Sequence, residues 1–124
     1  MGIIEVRIHG RGGQGGVTLA ELVAHAAISE GKYAQSMPSF GPERRGAPVL
    51  AFLRISDSPI RVRTEIKEPD VVVVLDPTLL DIVNPTRDLK EGGLAVVNTK
   101  RSGEEIKEKY EVERVALVDA SSTV

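Results

Sequence analysis

The glycine-rich segment at residues 10–16 is the part of this chain best suited to bind a charged ligand. It reads Gly-Arg-Gly-Gly-Gln-Gly-Gly between an apolar run and an amphipathic stretch, which predicts a turn from a strand into a helix. Glycine tolerates positive φ and lets a ligand approach the backbone, and the N-terminus of a helix attracts anions. The segment therefore predicts contact with an anion or a phosphate-bearing cofactor. A tight connection that binds nothing is the alternative.

A second segment, at residues 39–46, carries two adjacent arginines. It reads Ser-Phe-Gly-Pro-Glu-Arg-Arg-Gly, so that Arg44 and Arg45 lie between a proline and a glycine. Guanidinium groups bind phosphate and carboxylate through paired hydrogen bonds. Because the loops that follow parallel strands meet at the carboxyl edge of a sheet, we expect both segments to face one ligand. A rigid surface loop with solvated charges is the alternative.

The glycines also match a dinucleotide-binding pattern. Gly10, Gly12 and Gly15 spell G-x-G-x-x-G, which by itself is a weak signal. The pattern needs an acidic residue about 20 positions further on to bind a ribose, whereas the second predicted strand ends in Met-Pro-Ser-Phe. A Walker A site is not supported, because no Lys-Ser or Lys-Thr pair follows the glycines. A stand-alone dinucleotide-binding domain stays as an alternative.

The remaining reactive residue types form no catalytic set. His9 and His25 are the only histidines, and we assign neither a role. Asp76 follows an apolar run, where it is more typical of a turn into a helix than of an acid or base. Cysteine is absent, which excludes thiol catalysis, zinc–thiolate sites and iron–sulfur ligation by this chain. The sequence thus indicates a supporting or ligand-holding subunit.

Length and charge narrow the class of protein. A chain of 124 residues is one domain of ordinary size. Its formal charge of −2 gives no overall attraction for nucleic acid or anionic lipid. No apolar stretch reaches the ~20 residues that a membrane span needs, and Glu5 and Arg7 interrupt any signal-peptide core. We expect a cytoplasmic protein.

The spacing of apolar residues predicts seven strands and three helices. The strands are at residues 3–9, 33–37, 49–55, 60–63, 70–76, 94–98 and 112–118, and the helices at 16–30, 78–83 and 102–109. Glycine at position 31 and serine at position 102 are expected to cap helices. The run of valines after residue 70 predicts a central strand that is buried on both faces.

Two of these strands carry more specific expectations. The first alternates apolar residues with Glu5, Arg7 and His9, which predicts one wetter face and a place near the edge of the sheet. Residues 49–63 read as a hairpin with its turn at Asp-Ser-Pro. Strands that alternate with helices, together with this antiparallel pair, predict an α/β fold. The expected architecture is a three-layer sandwich with a mixed, mostly parallel β-sheet.

Three stretches together resemble the gamma subunit of the 2-oxoacid:ferredoxin oxidoreductases of the pyruvate and ketoisovalerate type. They are residues 10–15, residues 33–48 and Pro-Asp-Val-Val-Val-Val-Leu-Asp at 69–76, and the resemblance runs through essentially the whole chain. It implies a subunit of a cytoplasmic complex that decarboxylates a 2-oxoacid, passes electrons to ferredoxin and delivers the acyl group to coenzyme A.

The resemblance also implies partners and site residues. In that family, thiamine diphosphate, magnesium and the iron–sulfur clusters belong to partner subunits (alpha, beta and a ferredoxin-like delta), and the gamma domain is associated with coenzyme A. A purely structural scaffold, whose loops contact only other subunits, is a further alternative. The positions that match the motifs, and that would approach coenzyme A or a neighbouring subunit, are Gly12, Gly13, Gln14, Gly15, Ser39, Phe40, Gly41, Arg44 and Arg45.

The end of the sequence departs from the family pattern. Gamma subunits of this family continue past a final Asp-Ala-containing strand into further helices, whereas this sequence stops at Val124. We therefore expect residues 1–124 to form a single gamma-type domain that lacks the family's C-terminal helices.

Overall fold

The computed structural model describes residues 2–11, 16–38, 48–99, 102–110, 112 and 114–118. The described strands form one six-stranded sheet, in which three of the neighbouring pairs are parallel and two are antiparallel. This confirms the mixed, mostly parallel sheet. In chain order the elements are β1 (Ile4–Arg11), α1 (Gly16–Ser29), β2 (Tyr33–Pro38), β3 (Pro48–Ser56), β4 (Val71–Val74), α2 (Leu79–Ile82), β5 (Leu94–Asn98), α3 (Gly103–Tyr110) and β6 (Arg114–Val118).

The sheet has the strand order β2-β3-β1-β4-β5-β6 and is covered by helices on both faces. Side chains alternate along β4, so Val72 and Val74 pack among residues of α2 and α3, whereas Val71 and Val73 pack among residues of α1. Two apolar clusters therefore lie on opposite faces of one sheet, and the three-layer arrangement is confirmed. The α1 side is built from Val6, Ile8, Ala20, Ala24, Ala51 and Leu53, and the other side from Val72, Val74, Leu79, Leu80, Ala95, Val97, Ile106 and Val112.

The helix ends follow the capping residues of the sequence. α1 ends before Gly31, which adopts φ +86, and the N–H of Lys32 donates back to the carbonyl of Ala27 at 3.0 Å. At the start of α3, the hydroxyl of Ser102 accepts from the N–H of Glu105 at 3.2 Å. Both predicted caps are confirmed, because each satisfies a backbone group that the end of a helix leaves open.

Three predictions about the sheet are wrong, and the position of one strand explains two of them. β3 pairs antiparallel with β1 on one side and with β2 on the other. It therefore has no free edge for a hairpin partner, and residues 60–63 form no strand. β3 and β4 together enclose β1, which is an interior strand and not an edge strand. The face of β1 predicted to be wetter is buried, with Arg7 and His9 exposed by only 8% and 5%.

Candidate functional site

One edge of the sheet collects the ends of the strands that flank both predicted binding segments. β1 ends at Arg11, which lies opposite Pro48 at the start of β3, and β2 ends at Pro38, opposite Ala51. Because β4 and β5 run parallel to β1, they also end at this edge. The glycine-rich segment leaves from β1 and the arginine-bearing segment joins β2 to β3, so both start from the same edge, as predicted.

The predicted site residues themselves lie outside the described residues. The structure therefore gives the strand ends that anchor them, and their roles stay predictions. They are Gly12, Gly13, Gln14 and Gly15 between β1 and α1, and Ser39, Phe40, Gly41, Arg44 and Arg45 between β2 and β3.

An ion pair that the sequence did not reveal connects two of the strand ends. Nε of Arg11 donates to Oδ2 of Asp76 at 2.8 Å, and Nη2 of Arg11 donates to the hydroxyl of Thr78 at 2.9 Å. Both side chains are partly buried, with exposed fractions of 26% for Arg11 and 18% for Asp76. This pair ties the end of β1 to the segment that leads into α2. It also balances the charge of Arg11, so that this arginine adds no net positive charge to the edge.

Asp76 has the turn role that its sequence context predicts. Its Oδ1 accepts from the backbone N–H of Thr78 at 3.0 Å and from the Thr78 hydroxyl at 2.7 Å. Burial alone would raise the pKa of Asp76, but the hydrogen bonds from Thr78 and Arg11 outweigh burial and lower that pKa below its ordinary value. A carboxyl group held ionised by three donors is a fixed acceptor and not a proton carrier. The interpretation of Asp76 as a turn residue is confirmed.

Arg7 and His9 lie next to this edge, on the face of the sheet that α2 covers. Nε of Arg7 donates to Nε2 of His9 at 3.2 Å. Burial, and secondarily the charge of Arg7, lower the pKa of His9 to about 3, so the imidazole is neutral at physiological pH. Sequence reasoning assigned His9 no role, since a lone histidine in a strand carries no signal of what packs over it.

The described residues hold no group of three or more side chains with metal-ligating atoms that could bind a metal ion. Within the same part of the chain, the helices are too short or too polar to cross a lipid bilayer. What the described edge offers is a set of converging strand ends and the N-terminus of α1. The first turn of that helix carries no acidic side chain of its own.

Comparisons with known proteins extend over nearly the whole chain. The family model described as pyruvate ferredoxin/flavodoxin oxidoreductase matches residues 5–123. A Thermococcus litoralis protein named pyruvate/ketoisovalerate oxidoreductases common subunit gamma is 60% identical over 122 residues, which are 97% of this chain and 66% of that protein. Pyruvate synthase subunit PorC of Methanosarcina barkeri is 50% identical over 117 residues, covering 94% of this chain and 64% of the relative. The chain thus spans about two thirds of the length of these relatives.

Two solved structures also superpose on nearly the whole of this chain. The pyruvate oxidoreductase subunit PORC of Thermotoga maritima superposes with a TM-score of 0.82 at 37% identity, covering 98% of this chain and 65% of that one. A 2-oxoglutarate:ferredoxin oxidoreductase from Magnetococcus marinus, solved with 2-oxoglutarate, coenzyme A and succinyl-CoA bound, superposes with a TM-score of 0.68. Its identity is 18%, over 94% of this chain and 19% of that chain, so this likeness shows the fold alone.

Proposed function

Because the chain belongs to the pyruvate ferredoxin/flavodoxin oxidoreductase family, we propose that it is the gamma-type component of a multisubunit 2-oxoacid:ferredoxin oxidoreductase of the pyruvate type. That complex would oxidatively decarboxylate a 2-oxoacid, transfer the acyl group to coenzyme A and pass the electrons to ferredoxin. The observation that carries the proposal is the 60% identity to a gamma subunit across 97% of this chain. The relatives give no support to a stand-alone dinucleotide-binding domain.

In this proposal the chain supplies no redox group. A sequence without cysteine cannot ligate an iron–sulfur cluster through thiolates. Thiamine diphosphate, magnesium and the clusters would be bound by the alpha, beta and ferredoxin-like delta subunits. The complex would be cytoplasmic, with ferredoxin as its electron acceptor.

We further propose that the edge of the sheet where β1 and β2 end approaches coenzyme A. Coenzyme A carries phosphates, and among the described residues the N-terminus of α1 fits an anion. The glycine-rich segment leads into the N-terminus of α1, whose first turn contains no carboxylate to compete with an incoming anion. Arg11 is balanced by Asp76, so the cationic groups for the phosphates would be Arg44 and Arg45, next to Gly41, Ser39 and Phe40. Gly12, Gly13, Gln14 and Gly15 would let the ligand reach the backbone.

The test is a double substitution in the reconstituted complex. Arg44→Ala with Arg45→Ala removes both guanidinium groups, and we expect the apparent KM for coenzyme A to rise about tenfold or more, because charge-assisted contacts to phosphate are lost. Arg61→Ala with Arg63→Ala is the matched control, since these arginines are exposed and belong to neither predicted segment. An unchanged KM in an assembled complex would reject the coenzyme A role and favour the scaffold alternative. Recovery of the chain from its host without thiamine-bearing and cluster-bearing partners would reject the subunit assignment.

A further inference from the structure

Side chains hold the end of β1 at the point where its backbone pairing ends. On the β4 side, the paired register ends at His9 and Val74. On the β3 side, Arg11 lies opposite Pro48, which has no N–H to donate. Two residues beyond His9 in the same register, Arg11 lies level with Asp76. The ion pair between these two side chains therefore extends the connection of β1 to β4 beyond the paired residues.

Arg11, Asp76 and Thr78 form a closed set of hydrogen bonds. The guanidinium of Arg11 donates to Oδ2 of Asp76 at 2.8 Å and to the Thr78 hydroxyl at 2.9 Å. That hydroxyl in turn donates to Oδ1 of Asp76 at 2.7 Å, so each of the three side chains bonds to the other two. A connected polar network rigidifies the groups that it joins, and the planar guanidinium gives it direction. The network thus fixes the end of β1 relative to the segment that leads into α2.

This network lies at the rim of the fold and not in its core. The earlier part of β1 is held by pairing with β3 and β4 and by the apolar cluster that contains Val6 and Ile8. Ion pairs that water can reach contribute little to stability. The main effect of the network is therefore geometric: it orients Arg11, the residue that immediately precedes Gly12 and the predicted coenzyme A segment.

We propose that Asp76 and Thr78 are positioning residues for coenzyme A. By holding the side chain of Arg11, they set the direction in which the chain leaves β1 towards the glycine-rich segment. They act through Arg11 and need no contact with coenzyme A themselves. Misplacement of a binding group by about 1 Å is enough to weaken its effect strongly. This inference rests on the proposed function, because it requires coenzyme A to approach this edge of the sheet.

The test is the KM for coenzyme A of the reconstituted complex. Asp76→Asn removes the charge and keeps the size of the side chain. We expect the KM for coenzyme A to rise about fivefold, while kcat at saturating coenzyme A and the KM for pyruvate stay unchanged. Asp57→Asn is the matched control, since Asp57 also forms an ion pair, with Lys32 at 2.7 Å, but lies at the edge where β1 starts.

The sign of the change separates positioning from competition. If Asp76 only competed with coenzyme A for Arg11, Asp76→Asn would free that arginine and lower the KM for coenzyme A. A lower KM, or an unchanged KM in an assembled complex, would overturn the proposal. Arg11→Met combined with Asp76→Asn should raise the KM no further than Asp76→Asn alone, because the two residues act as one unit. A clearly larger rise in the double variant would mean that Arg11 binds coenzyme A itself.

Variants of Thr78 separate positioning from general damage to the fold. Thr78→Val removes the hydroxyl and should raise the KM for coenzyme A about threefold, whereas Thr78→Ser keeps the hydroxyl and should leave that KM close to its original value. Equal KM values in the two variants would contradict the role of the network. A matching rise in the KM for pyruvate would show a general structural defect instead.

The Arg44→Ala with Arg45→Ala variant distinguishes failure of this inference from failure of the proposed function. If it raises the KM for coenzyme A and Asp76→Asn does not, the edge binds coenzyme A and only the positioning role is wrong. If neither variant raises the KM, the approach of coenzyme A to this edge is wrong, and the positioning role is wrong with it.

Discussion

One face of the sheet has two adjacent buried regions, one with aliphatic side chains and one with ionisable side chains. On β4 and β5 it carries only aliphatic side chains, and all of them are fully buried. On β1 and β3 the same face carries ionisable residues, and the register places Arg7 next to Val72 and His9 next to Val74. The aliphatic half comprises Val72, Val74, Ala95 and Val97, and the polar half is built around Glu5, Arg7, His9 and Arg54.

The two halves are stabilised by different physics. The aliphatic half packs on α2 and α3 and needs only burial, which is not directional. In the polar half, Nε of Arg54 donates to Oε2 of Glu5 at 2.7 Å, and Nη1 donates to Oε1 of Gln35 at 3.0 Å. Such groups tolerate burial only when each is paired. The comparison indicates that non-directional burial stabilises the aliphatic half, while the polar half depends on directed pairing of its charged groups.

The largest effect is expected in the aliphatic half. Ile106 is 0% exposed and packs in the cluster of α3 with β4 and β5. Ile106→Ala should lower the free energy of unfolding by about 3 kcal/mol, because it removes buried methyl groups and leaves a cavity. Urea denaturation measures this, with the exposed neighbour Lys107→Ala as control. If Ile106→Ala and Lys107→Ala lowered the free energy of unfolding equally, burial in the aliphatic half would not be what stabilises it.

In the polar half, removal of one partner should cost nearly as much. Arg54 is 2% exposed, and Arg54→Met leaves the Glu5 carboxylate without its closest cation. We expect a loss of about 2 kcal/mol, below the value for fully buried pairs because Glu5 is 25% exposed. Adding Glu5→Gln to this variant should restore part of the loss, since the stranded charge is then gone. A double variant less stable than the single one would show that burial of charge is not the cause.

His9 makes the polar half sensitive to pH. Its pKa is lowered from 6.5 to about 3 in the folded state, so between these values the unfolded state binds more protons. The stability contribution is complete above pH 6.5 and is lost as the pH falls towards 3. At pH 5 the loss should be about 2 kcal/mol, from ~1.4 kcal/mol per pH unit below 6.5.

The check compares the slope of unfolding free energy against pH, measured between pH 7 and pH 5, for the unaltered chain and two variants. His9→Gln should flatten the slope, whatever its effect on stability at pH 7. His25→Gln, which replaces the other histidine on the exposed side of α1, is the control variant. If the slope disappeared in His25→Gln and persisted in His9→Gln, the pH dependence would arise from His25 and the prediction for His9 would be wrong.

The smallest effect is expected for an exposed charge pair outside both halves, between the residue before β2 and the residue after β3. Nζ of Lys32 lies 2.7 Å from Oδ1 of Asp57, and these side chains are 45% and 50% exposed. Because water solvates both charges, Lys32→Gln should leave the urea midpoint unchanged within error. A loss as large as that of Arg54→Met would mean that charge pairing, and not burial, separates the two halves.

Local signals in the sequence were sufficient to predict most of the helices and strands. The helical spacing of apolar residues predicted α1, and Gly31 predicted its end. The valine run predicted β4 as an interior strand, and it lies between β1 and β5. The motifs gave the family, and the strand ends lie at one edge as parallel pairing requires. The site residues Gly12 to Gly15 and those at positions 39–45 fall outside the described residues, so their roles are still predictions.

The sequence by itself determined the α/β class, the mixed sheet and the family, because these depend on periodicity, turn residues and motifs read over short distances. Only the tertiary structure decided that β3 lies between β1 and β2, which excludes a hairpin at residues 60–63 and encloses β1. It also decided that Arg7 and His9 are buried. An alternating strand has the same local pattern whether its polar face contacts water or protein. In this chain the polar face of β1 is buried because distant segments cover it: Arg7 donates to the carbonyls of Ile66 and Pro85, which are 59 and 78 residues away in the chain.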